Sequence, residues 1–292
     1  MSSHWYPGHM AKAKQTIKEN LKNVDVVIEV RDARLPDSSG NPDIHHLLRD
    51  KPSVLVLNKA DLADSYLTKL WEKHYEHQGR EVAIMNSLKG QGKNNLLEKI
   101  KDISSSKFSA MKLKGRRMRA VRLMVIGIPN VGKSQLINCL ANRKMARTGD
   151  RPGVTRGKQW IHIDQKLALL DMPGILWARQ KDPQVQQKLN IIAALDNKMD
   201  DLEKAAIDLI QVLMKLEAKE YLKKWTHEKE DVLQPEEVLK AIGKDRGFLI
   251  AGGSVDLHKA AVHFIRDFQA GKYGRITLEE PPREEVKKDQ ES

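Results

Sequence analysis

The residues best suited to chemistry lie in Gly127-Ile128-Pro129-Asn130-Val131-Gly132-Lys133-Ser134, which fits the pattern GxxxxGK[ST]. Backbone N–H groups of such a loop can surround phosphate oxygens, and a helix that follows turns its positive end to the same place. In that chemistry Lys133 bridges the outer phosphates and Ser134 offers its hydroxyl to Mg²⁺. Asn130, Val131, Gly132 and Gln135 belong to the same nucleotide contact. A chance Gly-rich turn is the plain alternative. The apolar run Val121–Ile126 before the loop and the helical stretch Lys133–Ala141 after it argue against chance.

Four further segments have matching chemistry. Asp171-Met172-Pro173-Gly174 ends an apolar run, so Asp171 can hold magnesium through water and Gly174 can bring its N–H to the last phosphate. In Asn58-Lys59-Ala60-Asp61 the Asp61 carboxylate can accept two hydrogen bonds from the N1 and N2 groups of guanine. Adenine has no such donor pair, and unpaired buried groups penalise the wrong base. Ser87, Leu88, Lys89 and Gly90 can give backbone contacts to the base oxygen. Thr155, in Arg151-Pro152-Gly153-Val154-Thr155, can close over the nucleotide and ligate Mg²⁺. Each segment alone also reads as an ordinary turn; the set points to GTP and GDP.

The elements that must position these segments follow from apolar patterning. Val24–Val30, Val54–Leu57 and Val82–Met85 read as buried strands, with helices at Ile44–Arg49, Leu67–Tyr75 and Asn95–Ile103. A basic linker is expected over Ser104–Arg119. Lys158–Ile163 and Leu167–Leu170 read as a hairpin. The fold class expected is α/β: a mostly parallel sheet with helices on both faces. After Gly174 helical spacing takes over, with Leu202, Ala206, Leu209, Leu213 and Leu216 on one face, a helix start at Pro235-Glu236-Glu237, and a helix over His258–Phe268. The expected division is a nucleotide-binding domain over residues 1–176, a helical domain over 177–278, and a charged, disordered tail over 279–292.

The order of the motifs is unusual. In ordinary small GTPases the phosphate loop comes first, whereas here Asn58–Asp61 and Ser87–Gly90 precede it. A circular permutation explains this, because domain termini lie close together and can be joined while the chain opens elsewhere. With Trp5-Tyr6-Pro7-Gly8-His9-Met10, Asp32-Ala33-Arg34-Leu35-Pro36, Asp171 through Trp177, and Gly271-Lys272-Tyr273-Gly274-Arg275, the chain resembles the circularly permuted ribosome-assembly GTPases of the bacterial RbgA/YlqF type. The resemblance covers nearly the whole length. It implies a permuted P-loop GTPase domain followed by a small all-helical RNA-binding domain, acting in late assembly of the large ribosomal subunit. Met172 departs from the more usual Thr and leaves Asp171 and Gly174 in place.

Ile175 and Leu176 stand where many GTPases carry a water-orienting Gln. The resemblance offers His9 instead, so His9 and Lys133 are the expected catalytic pair; a turn-capping role for His9 stays open. It also implies K⁺ beside the phosphates at Asn130.

Bulk properties agree with these expectations. A net charge of +12 draws polyanions, with basic residues at Lys12, Lys14, Lys18 and Lys22 and at Arg116, Arg117, Arg119 and Arg122. The resemblance implies the large ribosomal subunit and its rRNA as the partners, and no membrane is expected. The single cysteine, Cys139, and the lack of a secretory pattern favour the cytoplasm. A signalling GTPase with protein partners and a non-hydrolysing RNA scaffold are the competing readings.

Overall fold

The structure, a computed structural model, describes residues 15, 17–41, 47–48, 51–113, 119–142, 159–163, 166–171, 182–192, 199–215, 222–226 and 234–282. Six strands form one sheet in the order β3-β2-β1-β4-β6-β5. They are β1 (Val26–Asp32), β2 (Ser53–Asn58), β3 (Glu81–Ile84), β4 (Val121–Ile126), β5 (Gln159–His162) and β6 (Leu167–Asp171). All neighbours run parallel except β5 and β6, which form the expected antiparallel pair. Strand β1 is buried along its whole length, as a central parallel strand covered on both faces must be.

Period-two alternation assigns the two faces. Leu55, Leu57 and Val82 pack with Trp71 and Tyr75 of α1 (Ser65–His77). Val54, Val56 and Ala83 point the other way, into the cluster that holds Leu96 and Ile100 of α2 (Lys93–Leu113). Helix α3 (Lys133–Ala141) follows β4 and packs on it. Polar residues within β1 are matched locally. Glu29 binds Arg31 Nε at 2.6 Å and also Arg80, while Arg31 Nη1 reaches Pro36 O and the Tyr75 hydroxyl, each at 3.0 Å. Just before β1, Asp25 holds Arg119 in a fork at 2.7 and 2.9 Å.

One sequence expectation needs correction here. Helix α2 runs to Leu113, so the linker expected over Ser104–Arg119 is helical through its first ten positions, 104–113. Ser104 and Ser105 fit because their hydroxyls bond back to Lys101 O at 3.0 Å and Asp102 O at 2.7 Å, taking up polar groups that would otherwise favour a loop. Two arginines of the basic run have partners within the chain. Arg119 is committed to Asp25, and Arg122 lies over the Trp160 ring at 5.2 Å. Arg116 and Arg117 lie outside the described residues.

Beyond β6 come α4 (Pro183–Ile191), α5 (Met199–Lys215), the short α6 (Lys223–Thr226), α7 (Pro235–Asp245) and α8 (Leu257–Gln269). Asp182 and Asp256 cap α4 and α8, and Glu237 reaches back to Gln234 N at the start of α7. Helix α5 packs on α4, α7 and α8. Its Ala206, Leu209 and Leu213 are buried, as the helical spacing predicts, and Leu202 is only half-buried. No helix among the described residues is long and apolar enough to cross a membrane.

The tail also begins later than expected. Glu279 is buried at 8% exposure and bonded to the sheet domain, because Ile276 and Leu278 beside it are buried too. At the centre of the helices, Phe264 is fully buried against Tyr273, with ring centroids 5.0 Å apart. Phe264→Ala should lower the unfolding free energy by about 3–5 kcal/mol, read from urea titration. A loss below about 1 kcal/mol would contradict this packed core.

Candidate nucleotide site

The chain diverges at the carboxyl ends of β1 and β4. From β1 it goes on to β2 and β3 on one side of the sheet, and from β4 to β5 and β6 on the other. Such a switch point leaves a crevice where open α/β sheets bind ligands. The loop 127–132 lies there. Gly127 and Gly132 are required by contact: an added Cβ would fall 2.4 Å from Val30 O at the first and 2.2 Å from Asn58 Nδ2 at the second. Both have positive φ, and Asn130, exposed at the loop tip, takes the left-handed conformation at φ 62°.

Asn58 ends β2 and connects three loops. Its Nδ2 donates to Val131 O at 2.8 Å, and its Oδ1 accepts from Ser87 N at 3.1 Å and Ser87 Oγ at 2.7 Å. Asn86 shapes the neighbouring loop by accepting from Leu88 N and Lys89 N, each at 3.1 Å, which leaves both of those side chains exposed. Lys59, at φ 59°, extends to Asp32, with Nζ 3.1 Å from Oδ2. Asp61 is half-buried on the same loop.

Lys133 is half-buried in the mouth of the loop and donates to Ile128 O. Burial, then the positive charge of Lys59, pushes its amine down to about 7. Ser134 and Gln135 follow in the first turn of α3, both half-buried. Leu170 of β6 is level with Met124 of β4, so Asp171 ends the strand next to the phosphate loop.

The structure therefore brings together Asn58, Lys59, Asp61, Ser87, Leu88, Lys89, Asn130, Val131, Gly132, Lys133, Ser134 and Gln135, with Asp171 at the end of the adjoining strand. His9, Thr155 and Gly174 lie outside the described residues. Sequence reasoning missed the role of Asp32, which it had read only as part of a family motif. Burial alone would raise the Asp32 pKa, but Arg34 and Lys59 outweigh it and hold the carboxyl well below the usual carboxylate range. The signal available was an Asp at the end of a strand next to the Asn58–Asp61 strand.

A mostly parallel sheet with a Gly-rich loop at its switch point, clamped by an Asn from the end of β2, defines a P-loop GTPase in permuted order. The model of a family described as 50S ribosome-binding GTPase matches residues 122–243. Its match begins within β4, so β1 to β3 lie before it in the chain. Ribosome biogenesis GTPase A of Bacillus pumilus (strain SAFR-032) is 42% identical over 283 residues, covering 96% of this chain and 99% of that protein. Among solved structures, GDP-bound TM YlqF matches with a TM-score of 0.64 at 26% identity, covering 91% of this chain and 99% of that one. GNP-bound YlqF from T. maritima matches with a TM-score of 0.65 at 27% identity, covering 92% and 98%. The chain belongs to the ribosome biogenesis GTPase A family. It is a GTP-hydrolysing protein of ribosome biogenesis.

The lowered Lys133 amine has a measurable consequence. Phosphate oxygens bound beside it would restore the charged form, so binding would take up a proton wherever the free amine is neutral. The uptake is therefore large above the free value of about 7 and vanishes below it. Calorimetry of GDP binding in buffers of different ionisation enthalpy should show uptake of about one proton near pH 8 and almost none near pH 6. Absence of uptake at the higher pH would remove Lys133 from phosphate contact.

Proposed function

We propose that this GTPase is a nucleotide-controlled assembly factor that binds the large ribosomal subunit through rRNA and hydrolyses GTP faster on the particle. The observation that carries the reading is the Asn58 junction, which ties the loops after β2 and β3 to the phosphate loop in a chain of this family. In this reading Asn58, Lys59 and Asp61 recognise guanine, with Ser87, Leu88 and Lys89 around the base oxygen. Val131, Gly132, Lys133, Ser134 and Gln135 bind the phosphates, and Gly174 donates to the last of them.

The donor set suits a hard cation. Ser134 opens α3 and Asp171 closes β6, so a hydroxyl and a carboxylate belong to neighbouring elements, and Thr155 adds a second hydroxyl from the connecting chain. Mg²⁺ held there would neutralise charge on the phosphate oxygens. Asn130, exposed at the tip of the phosphate loop, is the candidate to assist K⁺. His9 orients the attacking water, and Lys133 holds the transferring phosphate.

The helices after β6 supply the particle contact, and they follow Asp171 in the chain with no further strand among the described residues, so in this reading a phosphate-dependent shift passes on to them. The net charge of +12 suits an rRNA surface, and the site of action is the cytoplasm.

Sedimentation with purified large subunits tests the reading. Binding should be tighter with a non-hydrolysable GTP analogue than with GDP, should weaken steeply with salt, and should accompany faster turnover on the particle. Equal, salt-insensitive binding in the two nucleotide states, with no stimulation, would overturn it.

A further inference from the structure

Arg34 is the largest fully buried side chain among the described residues, at 1% exposure. A buried guanidinium carries a large desolvation penalty, which good geometry must offset. Its geometry faces two ways. Towards the nucleotide site, its N and Nε meet Asp32 Oδ1, each at 3.0 Å, and its Nη2 meets Oδ2 at 2.9 Å. The same Oδ2 holds Lys59. Towards the helices, its Nη1 reaches Phe268 O at 3.5 Å, and the guanidinium lies 5.2 Å from the centroid of the Phe268 ring. Its own carbonyl accepts from Leu278 N at 2.9 Å.

The segment after α8 strengthens this junction. Ile276 N donates to Leu62 O at 3.0 Å, and Asp64 N donates to Thr277 Oγ1 at 3.0 Å, so the segment lies along the outer side of the base-reading loop. Glu279 fastens its end. The carboxylate accepts from Asp37 N at 2.9 Å, from Ser38 N and Oγ, and from Lys188 Nζ of α4 at 3.0 Å, while the backbone carbonyl accepts from Trp71 Nε1 at 3.0 Å.

We propose that Arg34 is a positioning residue that couples guanine binding to docking of the C-terminal helices: through Asp32 it sets Lys59, and through Phe268 and Leu278 it holds α8 and the segment after it. This rests on the reading of Lys59 as part of the base-recognising loop. It provides a route on the base side of the site, separate from the phosphate-side connection through Asp171. Thermodynamic reciprocity follows: if the docked helices tighten the nucleotide, the nucleotide tightens the docking by the same factor.

Two measurements on the full chain test it. In the wild type, hydrogen exchange at the amides of Ile276 and Leu278 should slow by about fivefold or more when GDP saturates the site. Unchanged exchange there overturns the coupling. The second is a double-substitution cycle on GDP affinity. Arg34→Met should weaken GDP by about tenfold, and this effect should vanish when Lys59→Met is already present, because Arg34 acts through Lys59. A merely structural Arg34 would weaken binding equally in both backgrounds, which would overturn the proposal. If Lys59→Met alone leaves GDP affinity intact, the base reading itself fails and the inference with it; if Lys59→Met weakens GDP and Arg34→Met does not, only the coupling fails.

Discussion

The amide of Asn58 is the contact on which the nucleotide site depends. It spans 73 residues of sequence to Val131 O and 29 residues to Ser87, so it joins loops from both sides of the permuted chain. A side-chain amide suits this because it donates and accepts at opposite ends. Permutation changes which strands are connected and leaves their neighbours unchanged. Strand β1 still lies between β2 and β4, and the phosphate loop still opens where the chain diverges. The end of the joining segment is fixed by the Arg119 fork on Asp25, at the entrance to β1.

Charge around this junction is arranged in a line. Lys133 and Lys59 repel each other, Asp32 compensates Lys59, and Arg34 compensates Asp32. Buried ion pairs of this kind add little net stability, since desolvation opposes the attraction. Their effect is to fix direction: Lys59 is drawn towards Asp32, while Lys133 donates to Ile128 O within its own loop. The same line continues to Phe268, so α8 packs against Arg34 beside the Asp32–Lys59 pair.

Much of this was legible in the sequence, for identifiable reasons. The phosphate loop was plain because an apolar strand and a helix bracket a pattern that backbone geometry requires, and α3 falls on the expected Lys133–Ala141. The strands β1 to β3 stood out because parallel strands buried on both faces read as apolar runs. The permutation was legible in motif order alone. The extent of α2 was not, because serines bonded back within a helix have the same composition as a loop. The commitments of Arg119 and Arg122 were hidden as well, since a run of basic residues does not reveal which of them meet Asp25 or Trp160. Glu279 was misread because its charge suits the polar segment that follows, whereas its burial is set by partners more than 200 positions away in Asp37, Ser38 and Trp71.

The central claim is that one side chain holds the permuted halves of the nucleotide site together. It is tested most directly by the GDP affinity of Asn58→Ala, measured with a fluorescent analogue on protein shown by circular dichroism to be folded. Three hydrogen bonds of about 1 kcal/mol each are lost, so affinity should fall on the order of a hundredfold while the sheet persists. Wild-type affinity in the folded variant would contradict the account.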